Sequence, residues 1–223
     1  MPVTPSTQPP SAVTPVTEAE VIAAFARREH AGRALAGDVE RIARAARAMA
    51  ARFHLGGKLI VFGDGGAGSD AAHIAVEFMH PVIVGKRALA AVALSNDATT
   101  AGQDGEDGGD AAEVFAHQVR HWADASDIAL GISRDDRCVS VPRGLRTAGE
   151  LGLLTIALTG GADRGDGHGG EVTDRVPADH VLVAASDDPA VVKEVHVTAY
   201  HLLWELVHVF FDRLGPPAQG ASR

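Results

Sequence analysis

The chain has 223 residues, of which 46% are apolar, and this is enough for one α/β domain with a sizeable core. Its formal net charge is −9 without any basic block, which argues against nucleic acid or an anionic membrane as the main partner. A single cysteine, Cys138, excludes an intrachain disulfide and a metal site of four thiolates. No segment reaches transmembrane length and the N-terminus has no apolar signal core, so a cytoplasmic protein is expected.

The two ends of the chain differ in composition from its middle. Residues 1–16 are rich in Pro, Ser and Thr and carry no charged side chain, which predicts a disordered tail. A single domain is predicted over residues 17–213, followed by a flexible polar tail over residues 214–223.

A helical hairpin is predicted at the start of the domain. Thr17 and Glu20 fit a capping box, and a helical stretch runs from there to about Phe53 with an interruption near Gly37. Apolar side chains recur along it at helical spacing, so they need a covering surface, either on their own domain or on a partner subunit. These side chains are Val21, Ala24, Phe25, Val39, Ile42, Ala46, Met49 and Phe53.

Buried strands alternate with helices through the rest of the chain. This alternation predicts a doubly wound, five-stranded parallel sheet with helices on both faces, and ligands beyond the carboxyl ends of its strands. The predicted strands are Leu59–Phe62, Ala88–Leu94, Asp127–Ile132, Leu153–Leu158 and His180–Ala184. The predicted helices after the second strand are Ala111–Trp122, Val141–Leu151 and Pro189 to about Arg213, the last one capped by Asp187 or Asp188. Polar loops rich in Gly and Asp are predicted over residues 95–109 and 159–176.

A glycine-rich turn, Gly63–Gly68, follows the first strand and precedes a helix that Ser69 or Asp70 is predicted to cap. Backbone N–H groups and the helix dipole at such a turn favour an anion such as phosphate. Its glycines also fit the G-x-G-x-x-G pattern of dinucleotide sites. However, no acidic residue closes the second strand, since the first one is Asp97, and Asp64 would stand near a pyrophosphate. A tight turn without a ligand is the third interpretation.

An imidazole and a carboxylate share one face of the helix after this turn. His73 and Glu77 are four residues apart, a pair suited to metal binding or proton transfer. In the last helix Lys193 and His201 also share a face, and His201 is interpreted as functional. Two further histidines of that helix are interpreted as core or interface residues: His196 and His208.

Together these motifs resemble the sugar isomerase (SIS) domain family and, within it, the phosphoheptose isomerases. The resemblance covers residues from about 18 to 212, and its motifs are specific only in combination. They are GDGGAGSDAAHIAVE at 63–77, ALSND at 93–97, EVFAHQV at 113–119, DIALGIS at 127–133, LGLLTIALTG at 151–160 and KEVHVTAYHLLWEL at 193–206.

The resemblance implies a flavodoxin-like sheet and a homotetramer whose N-terminal helices pack together, with the active site between subunits. The implied reaction is the aldose–ketose isomerisation of sedoheptulose 7-phosphate to D-glycero-D-manno-heptose 7-phosphate. Zinc would be held by His73, Glu77 and His201, with Glu77 and His201 as the catalytic base and acid. The resemblance and the chemistry of the residues at these positions together predict substrate binding by Asp64, Gly65, Gly66, Asp97, Ser133, Arg134, Arg137 and Lys193.

The phosphate loops depart from the family pattern. Asp64 and Ala67 replace an Asn and a phosphate-binding Ser of the family's glycine turn. The family's second loop, S-T-S-G-N-S, reads SRDDRC at 133–138, and its aspartates would repel phosphate. Arg134 and Arg137 can compensate, because guanidinium binds phosphate in bidentate fashion, or they can be neutralised by the adjacent aspartates.

Two further departures leave the function open. Lys193 stands where the family has a metal-site Gln, and a protonated lysine binds an anion instead of a cation. Cys138 is interpreted as a packed thiol, and as a nucleophile only if Arg137 or the following helix lowers its pKa. Besides an active isomerase, the sequence is therefore compatible with an inactive sugar-phosphate-binding regulator or scaffold. A nucleotide-binding oxidoreductase rests on the glycine pattern alone.

Overall fold

The computed structural model describes residues 15–96, 111–135, 137–161 and 176–214. Several features predicted above lie outside these residues. They are most of the N-terminal tail, Asp97, most of the two predicted Gly/Asp-rich loops, Asp136 and the C-terminal tail from residue 215.

The N-terminal hairpin forms as two helices, α1 (Glu18–Gly37) and α2 (Val39–His54). The capping box is present, because the Glu20 N–H donates to Thr17 Oγ1 over 3.3 Å and the Thr17 N–H donates to the Glu20 carboxylate over 2.7 Å. The chain reverses at Asp38, one residue after the predicted break at Gly37.

Only part of the hairpin's apolar stripe is covered within the chain. The inward positions of α2 are buried, whereas Val39 is 62% exposed at its start. On α1, Val21 is 46% exposed and Phe25 is 72% exposed. The buried positions of the predicted stripe are Ile42, Ala46, Met49 and Phe53.

The sheet has five parallel strands in the order β2-β1-β3-β4-β5, which confirms the predicted fold class. The strands are β1 (Leu59–Gly63), β2 (Ala91–Ala93), β3 (Ile128–Ser133), β4 (Leu154–Gly160) and β5 (His180–Ala184). The remaining helices are α3 (Ala67–Met79), α4 (Val114–Trp122, after a 3₁₀ turn at Ala111–Glu113), α5 (Ser140–Glu150) and α6 (Pro189–Leu214).

Strand β2 is shorter than the predicted Ala88–Leu94. The Leu89 N–H donates to the carbonyl of Phe78 over 2.8 Å, at the end of α3, so the chain is held there by the helix and not by the sheet. Pairing with β1 starts only at Ala91, opposite Leu59. The predicted strand was too long because residues 88–90, which precede β2, are also apolar.

Helices cover both faces of the sheet. Along β1, Leu59 and Val61 pack into the core shared with α2, α3 and α6, whereas Ile60 and Phe62 pack into the core shared with α4 and α5. This alternation is what a strand buried on both faces requires. None of the helices in the described part of the chain is both long and apolar enough to cross a bilayer.

The predicted cap of α3 is wrong, because the helix begins earlier. Gly66 occupies the N-cap position without a side-chain cap bond. Gly65 takes φ +53°, a left-handed conformation that favours glycine, and this lets the helix begin at Ala67. Ser69 donates its hydroxyl to the Gly66 carbonyl over 2.8 Å instead of capping.

The predicted cap of α6 is present. Asp188 Oδ1 accepts the Ala190 N–H over 2.9 Å in the first turn of the helix. The Arg28 guanidinium of α1 contacts the same end of α6, since it donates two hydrogen bonds of 2.7 and 2.9 Å to the Glu194 carboxylate. The N-terminal hairpin and α6 are therefore fixed to each other where α6 leaves the sheet.

We expect Met49→Ala to lower the free energy of unfolding by about 2–5 kcal/mol, because Met49 is 0% exposed between α2 and the core and its loss leaves a cavity. Arg44→Ala on the same helix removes only an exposed side chain and should change it by less than about 0.5 kcal/mol. Urea unfolding at one protein concentration measures both. Equal losses in the two variants would contradict the assigned packing of α2.

Candidate active site

Two helices that leave the carboxyl edge of the sheet carry the candidate site. Helix α3 follows β1 and helix α6 follows β5, and the two pack against each other on one face of the sheet. His73 and Glu77 project from α3, and His201 projects from α6, so the site depends on how these two helices meet.

The structure brings His73, Glu77 and His201 together. Glu77 Oε1 lies 3.1 Å from His73 Nε2 and 3.1 Å from His201 Nε2. One potential ligand atom from each residue lies within 4.8 Å of the others. The Glu77 side chain is 19% exposed, whereas those of His73 and His201 are 52% and 46% exposed. The two imidazoles are therefore more open to solvent than the carboxylate between them.

Hydrogen bonds from α6 fix the helix register that makes this contact. The Trp204 Nε1–H donates to the backbone carbonyl of Glu77 over 3.0 Å. His208 is 2% exposed, with Nδ1 2.8 Å from the Trp204 carbonyl and Nε2 3.1 Å from that of Arg87. His208 is thus a core histidine, one of the two roles expected for it, and a neutral imidazole there donates to one of the two carbonyls.

The donor set fits a zinc ion. Two imidazoles and one carboxylate are a common set of protein ligands for catalytic zinc, with a fourth position left for water or substrate. Zinc bonds of about 2.0–2.2 Å place tetrahedral ligand atoms roughly 3.3–3.6 Å apart. The two observed 3.1 Å separations are close to that spacing, and the third pair of ligand atoms lies within 4.8 Å.

Lys193, which stands in place of the family's metal-site Gln, is bound elsewhere. Its Nζ lies 2.6 and 2.7 Å from the two carboxylate oxygens of Asp70. Asp70 is buried in the first turn of α3, while about half of the lysine side chain is exposed. Lys193 is therefore tied to a carboxylate, which competes with its predicted role in binding a substrate anion.

Tyr200 is a residue of the site that sequence reasoning missed. It is 3% exposed, and its ring centroid lies 4.7 Å from that of His201 and 5.8 Å from that of His73. Burial raises the pKa of Tyr200 to about 12, and the carboxylates of Asp70 and Glu77 act in the same direction. The phenol is therefore protonated at neutral pH. Its only signal in the sequence is its place directly before His201.

The glycine turn is tight for reasons of packing. A Cβ on Gly63 would lie 2.7 Å from the Ala67 carbonyl oxygen, so no side chain fits there. The Ala67 and Gly68 N–H groups already donate within the turn, to the carbonyls of Asp64 and Gly65. These two amides are not free for an anion, which favours the tight-turn interpretation for this part of the predicted phosphate nest.

The turn still has an open side. A Cβ on Gly66 would meet nothing within 4 Å, and the side chain of Asp64 is exposed. The Asn96 side-chain amide, from the end of β2, donates to the Gly65 carbonyl over 3.2 Å and so closes the other side. The predicted substrate-binding residues of this turn, Asp64, Gly65 and Gly66, therefore face open space at the edge of the sheet.

The loop after β3 presents its arginines to solvent. Ser133 is buried, with Oγ 3.3 Å from Thr159 Oγ1, so its hydroxyl already has a protein partner. Arg134 and Arg137 are exposed, and neither guanidinium forms an ion pair with any residue that the structure describes. Asp135 Oδ1 accepts the backbone N–H of Arg137 over 3.0 Å, so this carboxylate turns the loop instead of neutralising a guanidinium.

Cys138 and His196 are packed side chains outside the His73–Glu77–His201 cluster. Cys138 is half-buried; burial raises the pKa of its thiol, and the Asp64 carboxylate raises it further. The condition for a nucleophilic thiol, a lowered pKa, is thus not met. His196 is 3% exposed, burial lowers its pKa, and its Nε2 has no hydrogen-bond partner among the described residues. His196 is a core histidine, although not a fully satisfied one.

Comparisons with known proteins agree with this geometry. Residues 26–160 match the SIS domain family. The chain is 36% identical to the phosphoheptose isomerase of Solidesulfovibrio magneticus, over 88% of this chain and 94% of that protein. It is 33% identical to the phosphoheptose isomerase of a Bradyrhizobium strain, over 84% of this chain and 92% of that protein.

Solved structures show the same relation. The phosphoheptose isomerase of Francisella tularensis superposes with a TM-score of 0.72 at 27% identity, covering 86% of this chain and 97% of that one. The enzyme of Neisseria gonorrhoeae superposes with a TM-score of 0.70 at 29% identity, covering 85% and 97% of the two chains. The chain therefore belongs to the SIS domain family, in its phosphoheptose isomerase branch.

Proposed function

We propose that this chain is an aldose–ketose isomerase of a phosphorylated heptose, converting sedoheptulose 7-phosphate to D-glycero-D-manno-heptose 7-phosphate. The observation that carries the proposal is the contact of one Glu77 oxygen with both His73 and His201, each 3.1 Å away. The similarity to proteins named phosphoheptose isomerase supports the choice of substrate.

The chemistry requires a base at carbon and a proton carrier at oxygen. The Glu77 carboxylate would remove the proton next to the carbonyl of the open-chain sugar. His201 would move a proton between the two neighbouring oxygens, and its contact with Glu77 would let both groups act on the same few atoms of a substrate. Glu77 is held from behind by α6, so the approach of the sugar is from the exposed imidazole side.

We propose zinc as the cofactor, one ion per site, held by His73 Nε2, His201 Nε2 and Glu77 Oε1. When bound, the ion would supply Lewis-acid polarisation of the substrate carbonyl. A carboxylate cannot ligate tightly and act as a base at once, so Glu77 would have to alternate between these roles, or the ion would be partly structural.

We also propose that the functional form is a homotetramer joined through the N-terminal helices. The support is apolar side chains on α1 that nothing described in the chain covers, with Ile22 60% exposed and Phe25 72% exposed. A neighbouring subunit could also close the open side of the site. The cytoplasmic location expected from the sequence stays a prediction.

The rebuilt phosphate loops favour a second candidate, a sugar-phosphate-binding regulator or scaffold without turnover. Asp64 is exposed at the glycine turn, and Lys193 is occupied by Asp70, so neither helps to bind phosphate. Turnover separates the two candidates.

We expect Glu77→Gln and His201→Ala each to lower kcat for sedoheptulose 7-phosphate by about 10²–10⁴-fold, because each removes a proton-transfer group. His121→Ala is the control, since this exposed histidine lies on α4, on the other face of the sheet. Isomer formation is followed by chromatography of the products. If the parent protein binds the sugar phosphate in a thermal-shift assay but does not turn it over, the regulator is the correct function.

We expect the double variant Arg134→Ala, Arg137→Ala to lower kcat/KM for a phosphorylated ketose, mainly by raising KM, while zinc content stays unchanged. One charge-assisted hydrogen bond is worth roughly 1.5–3 kcal/mol, which corresponds to about 10- to 150-fold. Arg146→Ala removes an exposed arginine of α5 and serves as the control. Unchanged kinetics in the double variant would end the proposal that these arginines replace the family's phosphate-binding serines.

We expect light scattering on the full chain to give four times the chain mass of 23.1 kDa. Phe25→Glu should shift the protein to smaller species, because a charge on the exposed apolar face of α1 opposes its burial. Arg33→Ala changes an exposed charged position of the same helix and should leave the mass unchanged. A monomeric parent protein would overturn the tetramer.

A further inference from the structure

Three aromatic rings form a closed triangle at the candidate site. The ring centroids of Tyr200 and His201 are 4.7 Å apart at an interplanar angle of 68°. Those of Tyr200 and His73 are 5.8 Å apart at 48°, and those of His73 and His201 are 5.8 Å apart at 67°. Each ring therefore contacts the other two in tilted or edge-to-face arrangements, which are favourable for aromatic pairs.

The three rings differ sharply in burial. Tyr200 is 3% exposed and belongs to the core cluster shared by α2, α3 and α6. The side chains of His73 and His201 are about half exposed, at 52% and 46%. A half-exposed side chain keeps rotamer freedom that binding must remove, whereas a core side chain is already ordered. The tyrosine is the rigid member of the triangle.

The orientation of both imidazoles matters, because the same nitrogen of each must face one carboxylate oxygen. Both Nε2 atoms point to Glu77 Oε1, that of His73 from the same helix, α3, and that of His201 across the interface with α6. The Glu77 contact constrains only one atom of each ring. A second contact on the ring is needed to set its plane, and the ring of Tyr200 supplies it for both histidines.

We propose that Tyr200 is a positioning residue. Its ring packs against those of His73 and His201 and so pre-orients both Nε2 atoms for a metal ion. The proposal rests on the proposed function for the identity of the metal site and adds the residue that organises it. Residues that orient metal ligands typically change metal affinity by about 10- to 100-fold when replaced. The role belongs to the ring, so phenylalanine should preserve it.

The test measures zinc binding to the full-length protein by competition with a chromophoric chelator. We expect Tyr200→Leu to weaken zinc binding by about 10- to 100-fold and Tyr200→Phe to keep it within roughly threefold of the parent. The matched control is Phe211→Leu, since Phe211 is a buried aromatic of the same helix whose ring contacts His54, away from the site. Cobalt(II) in place of zinc gives a second readout, and its visible spectrum should change only in the leucine variant of Tyr200.

Equal zinc affinity in Tyr200→Leu and the parent, or equal loss in Phe211→Leu, would overturn the proposal. If Tyr200→Leu does not fold, Tyr200→Met keeps the core filled without a ring and takes its place. If the parent binds neither zinc nor cobalt, the proposed metal site is wrong. The positioning of the two histidines by Tyr200 is then tested by itself, by NMR of the histidine ring protons. The signals of His73 and His201 should then shift in the leucine variant and stay in place in Phe211→Leu. The absence of a shift in the leucine variant would overturn the positioning role of Tyr200.

Discussion

The packing of α6 against α3 is the constraint on which the site depends. Glu77 is held at both ends across this interface, with its backbone carbonyl bonded to Trp204 and its side chain to His201. His208 fixes Trp204 from one turn further along α6. A shift of one helix along the other by a single turn, about 5.4 Å, would separate the carboxylate from the imidazole of α6. The polar contacts between these helices therefore set the geometry of the chemistry.

Charge at the carboxyl edge of the sheet is arranged differently from what a simple phosphate site would need. Asp64 stands exposed at the glycine turn, and Lys193 is neutralised by the buried carboxylate of Asp70. Arg134 and Arg137, in the loop after β3, are exposed and form no ion pair with the residues that the structure describes. The exposed positive charge therefore lies on the loop after β3 and not at the turn before α3. The proposed anion recognition rests on that loop.

Two groups of aromatic and apolar side chains differ in burial and therefore in physical meaning. Tyr200 is inside the core and acts on the histidines through ring contacts. The exposed apolar side chains of α1, among them Phe25, are not covered by any residue that the structure describes. Because burial of an apolar side chain is favourable by roughly 1.5–3 kcal/mol, such a face is more stable against another subunit than in water. The first group organises the chemistry, and the second is suited to assembly.

The sequence by itself determined the architecture and the candidate ligands. Apolar runs that alternate with amphipathic helices predicted five parallel strands between two layers of helices, because strands buried on both faces are apolar along their whole length. The pair His73 and Glu77 was readable because both lie on one helix, four residues apart. Two boundaries were predicted wrongly. Strand β2 is shorter because the Leu89 N–H bonds to the end of α3, and α3 begins earlier because Gly65 takes a left-handed conformation.

Only the tertiary structure decided which distant groups meet. The Lys193–Asp70 pair and the contact of Tyr200 with His73 join residues of α3 and α6 that are more than a hundred positions apart. Helical periodicity says which face a residue occupies, but not the register of two helices that pack through the core. That register is set by the shapes of all the side chains between them, and no local pattern in the chain records it.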